Sequence, residues 1–69
     1  MSLEEYRINT IAEKIQDESS KLKNLIEEFL AEIADTEMAK DEDLLGVLLD
    51  LNMLLLKANV YLVRALSSE

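Results

Sequence analysis

The chain has 69 residues, 49% of them hydrophobic, 32% charged and 4% aromatic, with one Gly, no Pro, no Cys, no His and a formal net charge of −8. A chain of this length makes one domain, residues 1–69, and buries only about 60% of the surface its unfolded form exposes, so it needs support beyond its own core. Without Cys or His, disulfides, thiolate or imidazole chemistry and the usual zinc ligands are excluded, no cofactor is expected, and self-association is the support that remains.

The first predicted element is a helix over about residues 3–36. Glu4 and Glu5 stand where a secretory leader would place Lys or Arg, and no apolar run of leader length follows, so the expected location is cytoplasmic. Apolar residues then recur in steps of three and four at Ile8, Ile11, Ala12, Ile15, Leu22, Leu25, Ile26, Phe29, Leu30 and Ile33, the period of a one-sided helix. Glu18 and Ser19 interrupt that stripe. With no Gly or Pro nearby and no capping box after Ser19 or Ser20, the spacing predicts one continuous helix with a loose polar layer.

The connection is expected within Asp35–Asp41, where the periodicity lapses. Asp41 is placed to cap the next helix, with Glu42 and Asp43 in its first turn, where the positive end of the helix dipole favours them. Eight acids against Lys40 alone between Glu27 and Asp43 put −7 of the −8 charge near this turn. Clustered Lys or Arg is lacking, so nucleic acid is not an expected partner; a basic protein surface would be steered toward Glu37, Asp41, Glu42 and Asp43.

The second predicted helix spans about residues 41–67, with Ser67, Ser68 and Glu69 expected to fray. Of the 23 residues from Leu44 to Leu66, 17 are apolar. The segment is long enough to cross a bilayer, but Asp50 and Lys57 lie inside it and each costs roughly 2.5–3.5 kcal/mol to insert, so a buried helix away from membranes is expected. Asp43, Asp50, Lys57 and Arg64 recur every seven residues as one narrow polar stripe. One antiparallel neighbour cannot cover the rest of this circumference. The expectation is an all-α antiparallel hairpin that dimerises into a four-helix bundle, with Leu45, Leu48, Asn52, Leu55, Leu56, Asn59 and Leu62 at the subunit interface. A heterologous helix filling the second seam is the variant of this reading. The Asn side chains would fix register there, as a polar residue among leucines does in coiled coils.

The acids near the turn admit a second reading. The stretches Leu25-Ile26-Glu27-Glu28-Phe29-Leu30-Ala31-Glu32 and Glu42-Asp43-Leu44-Leu45-Gly46-Val47-Leu48-Leu49-Asp50 resemble the paired acidic helices of the all-α nucleotide pyrophosphatases over about a third of the chain. That resemblance implies magnesium-dependent hydrolysis using Glu28, Glu32 and Glu42. The pattern departs from the family where Glu32 falls one residue late and where Leu45 stands at a position that needs an acid. With no other catalytic motif present, the primary reading is a non-enzymatic protein–protein interaction module: an adaptor, regulator or small chaperone-like protein.

Overall fold

The computed structural model describes residues 2–67 and contains, among them, two long helices joined by a short connection: α1, Leu3–Ile33, and α2, Glu42–Ser67. The chain is an all-α helical hairpin, as its periodicity predicts. Ser2 starts α1, its hydroxyl accepting a hydrogen bond from the Glu5 amide at 3.1 Å, and Glu4 and Glu5 occupy the first turn. The helix continues through Asp17–Lys21 without a break. At its 31 residues it is about 46 Å long, which accounts for most of the 53 Å length of the hairpin.

α1 ends three residues before the expected boundary. The Thr36 hydroxyl donates to the Ile33 carbonyl at 2.7 Å and accepts from the Met38 amide at 3.2 Å, offering the backbone a local alternative to another helical turn. One 3-10 turn, Glu37–Lys40, follows, and its last amide bonds close it at Asp41. No described residue has a positive φ, since Thr36 and Asp41 take extended backbone and turn the chain between them. That is how the connection forms without Gly or Pro. Asp41 then caps α2 as its position predicts, with its carboxylate accepting from the Leu44 amide at 3.0 Å and its carbonyl from the Leu45 amide at 3.1 Å. Ser67 is helical, while the fraying expected at Ser68 and Glu69 lies outside the described residues.

The core is a single seam. On α1 the buried residues are Ala12, Ser19, Ile26 and Ile33, every seventh position, alternating with half-buried Asn9, Gln16, Lys23 and Leu30. This three-four alternation is the packing register of paired helices. On α2 the residues half-covered by α1 include Leu45, Leu48, Asn52, Leu55, Asn59, Leu62 and Leu66, with the same alternation, but none is fully buried. The α1 side of the seam is thus small and polar from Asn9 to Lys23 and apolar near the turn, at Ile26, Leu30 and Ile33, while Ile8, Ile11, Ile15, Leu22, Leu25 and Phe29 lie beside it.

The caps and the one glycine set testable stabilities. Asp41→Ala is expected to lower stability by about 1 kcal/mol by orphaning the Leu44 amide. Gly46 lies inside α2 with nothing within 4 Å of an added Cβ, so Gly46→Ala is expected to raise stability by about 1 kcal/mol. Urea titration followed by circular dichroism measures both.

Candidate interaction surface

The inner seam divides each helix into two flanks. On one side of the hairpin lie the residues immediately preceding seam positions: Ile8, Ile15, Leu22 and Phe29 on α1, and Leu44, Leu51, Ala58 and Ala65 on α2. These fall on the same side because two right-handed helices run antiparallel, as the corresponding flanking positions of an antiparallel coiled coil do. Ile11 and Leu25 extend this side on α1; Val47, Leu54 and Tyr61 extend it on α2. All of these are apolar or small, and the outer α1 column that holds Ile11 and Leu25 also carries Glu4, Glu18 and Glu32 at the edge of this side. Ile8, Ile15, Leu22 and Phe29 remain 40–53% exposed, and Val47, Leu54 and Tyr61 remain 62–65% exposed.

The opposite side is different. There α2 again shows apolar residues, Leu49, Leu56 and Val63 with Met53 and Val60 beyond them, but the matching positions on α1 are Glu13, Ser20 and Glu27, all exposed. One face of the hairpin is therefore apolar across both helices, and the other is apolar on α2 alone.

Of the residues expected at a subunit interface, Leu45, Leu48, Asn52, Leu55, Asn59 and Leu62 lie on the side of α2 that meets α1, and Leu56 is left exposed on the mixed face. The two asparagines are half-buried, and their Oδ1 atoms are fully covered yet accept no hydrogen bond. A covered carbonyl without a donor costs about 1–3 kcal/mol. The polar residues in this seam, Asn52 and Asn59 facing an α1 edge that carries Asn9, Gln16, Ser19 and Lys23, weaken the hairpin where an all-apolar pair would hold it.

The acids of the turn are all exposed. Asp41 is engaged in the α2 cap, and Glu37 pairs with Lys40 at 3.3 Å, which leaves Asp35, Glu42 and Asp43 as the turn carboxylates with neither a cap nor an ion pair among the described residues. Glu28, Glu32 and Glu42 are not drawn together: among the described residues no three acids group closely enough to hold a metal ion. A shallow open depression lined by Thr10, Glu13, Lys14 and Asp17 lies on α1 alone. The remaining ion pairs, Lys21 with Asp17 and Glu18 and Lys23 with Glu27, span three or four residues within α1 and contribute a few tenths of a kcal/mol each. Among the described residues none joins the two helices, and Asp43, Asp50, Lys57 and Arg64 form no ion pair; Arg64 instead lies over the Tyr61 ring, 5.5 Å from its centroid.

The feature that periodicity alone missed is the outward apolar face of α1. Its signal is a second three-four register, Ile8, Ile11, Ile15, Leu22, Leu25 and Phe29, offset by about 90° from the seam register that begins at Asn9 and Ala12. No family model, curated protein or solved structure matches the chain.

Replacing either asparagine by Leu is expected to raise stability by about 1–3 kcal/mol, because the uncompensated carbonyl is removed and an apolar side chain takes its place. A fall in the urea midpoint of Asn52→Leu and Asn59→Leu would mean that these amides are satisfied in solution.

Proposed function

We propose that the protein is a non-enzymatic protein–protein interaction module that works as a homodimeric helical bundle, with an acidic tip at the turn that attracts a basic protein surface. The apolar face running across both helices carries this reading. Each large side chain left in water forfeits about 1.5–3 kcal/mol of burial, and an exposed patch of this breadth marks an association surface. The surface area agrees. The hairpin exposes 5615 Å², whereas a compact monomer of 7.9 kDa exposes about 4,400 Å². Its radius of gyration is 15.9 Å against about 11 Å for a compact 69-residue domain. Covering that excess of about 1,200 Å² on each of two chains buries about 2,400 Å², within the range of permanent homodimers.

α2 by length and composition also meets the test for a membrane-crossing helix. Two observations favour protein as the cover. Asp50 and Lys57 lie near its middle, and the apolar face belongs to α1 as much as to α2, whereas α1 carries acids and bases along its other faces.

Sedimentation equilibrium tests the reading at micromolar concentration. The expected mass is twice the 7.9 kDa of one chain; a single-chain mass throughout the range contradicts it. For the tip, a short polylysine peptide is expected to bind with an affinity that falls as salt rises and that weakens in the Glu42→Gln, Asp43→Asn double variant, which spares the Asp41 cap. Binding indifferent to both changes would remove the tip from the account.

A further inference from the structure

The geometry points to one arrangement of the second copy: it packs on the two-helix apolar face with its α2 antiparallel to the first α2, so that Asp43 and Asp50 of each chain meet Arg64 and Lys57 of the other. This rests on the reading that the protein self-associates, and adds which face does so and in which direction.

The choice of face follows from the flanks. The mixed face would set Glu13 and Glu27 of α1 against a copy's apolar residues, or against the same acids, whereas the opposite face presents Leu22, Phe29, Leu51 and Leu54 together. Only there can both helices of each hairpin contribute apolar area, which the excess of about 1,200 Å² per chain requires.

The direction follows from charge. The stripe at Asp43, Asp50, Lys57 and Arg64 borders the apolar face next to Val47, Leu54 and Tyr61, where residues flanking a helix–helix seam pair across it. It is acidic in its first half and basic in its second, and the four positions are placed symmetrically about the peptide between Met53 and Leu54. A two-fold axis through that point makes every cross-chain pair an opposite one, Asp43 with Arg64 and Asp50 with Lys57, each formed twice. Parallel helices in register would set Asp beside Asp and Lys beside Lys. Among the described residues these groups make no ion pair, so the arrangement breaks none of those present. Arg64 can keep its place over the Tyr61 ring, which lies at the edge of the same face.

Because the chain has no Cys, single cysteines report the arrangement cleanly. Leu54→Cys, beside the axis, is expected to form a disulfide-linked dimer on mild oxidation. Val47→Cys alone is expected not to, since the two copies stand about 20 Å apart along the helices, while a mixture of Val47→Cys and Ala58→Cys links efficiently. Asp50→Lys is expected to weaken the dimer about tenfold through two like-charge contacts, and adding Lys57→Asp to restore it. Unmodified protein is measured first by sedimentation: a monomer there overturns self-association itself. A dimer in which Val47→Cys links to its own copy overturns the antiparallel direction, and one in which Leu56→Cys or Val63→Cys links in place of Leu54→Cys overturns the face. Circular dichroism of Asp50→Lys confirms that the hairpin still folds, so a loss of dimer reads on association.

Discussion

Everything in this hairpin depends on how α1 divides its circumference. Its apolar residues span more than one neighbour can cover, and the packing with α2 takes only their edge: Ala12, Ile26 and Ile33 are buried, while Ile8, Ile15, Leu22 and Phe29 turn to the side. The inner seam is completed by Ser19 and by half-buried Asn9, Gln16 and Lys23. Turning α1 the other way would bury its isoleucines and leucines against α2 at once, but would leave the small and polar residues on the outer face. In the orientation observed, both helices bring their apolar flanks to the same side, the face on which the proposed second copy packs.

The division has an energetic consequence. A seam with a Ser, several amides and two unpartnered Asn carbonyls gives a weak two-helix unit, and helix pairs of this size gain little from propensity alone. The caps at Ser2 and Asp41 and the Thr36 hydrogen bonds fix where the helices begin and turn, at about 1 kcal/mol each, without supplying a core. What the hairpin lacks, a second layer can provide. In the proposed dimer, association adds stability to a hairpin whose helix ends the caps already fix. The polar stripe of α2 fits the same scheme, since its sign reverses halfway along the helix and so distinguishes an antiparallel copy from a parallel one.

Much of the architecture was legible in the residues. The absence of Pro, the three-four periodicity and the lapse near Asp35 located two helices and a turn, and Asp41 fulfils its capping role. The end of α1 was not legible, because it is set by Thr36 bonding back to Ile33, a local competition that periodicity does not register. Nor was the facing of α1. Two registers, one beginning at Ile8 and one at Asn9, share a helix and differ by a fraction of a turn, and hydrophobicity favours the first while the fold uses the second for its inner seam. For the same reason Leu48, Asn52, Leu55 and Asn59, expected at a subunit interface, lie against α1, and the apolar surface left exposed is built from Val47, Leu54 and Tyr61 with the α1 flank. The acids of the turn were visible as a cluster in sequence, yet one serves as a cap and another pairs with Lys40.

Small-angle X-ray scattering most directly tests whether the outward face of the hairpin is covered by a copy lying alongside it. Side-by-side packing at the usual helix spacing of 8–10 Å doubles the scattering mass but raises the radius of gyration only to about 17 Å from the 15.9 Å of one hairpin. The account predicts that combination, a particle twice as heavy and scarcely longer. A single-chain mass, or a doubled mass with a radius near 30 Å from end-to-end joining, would contradict it.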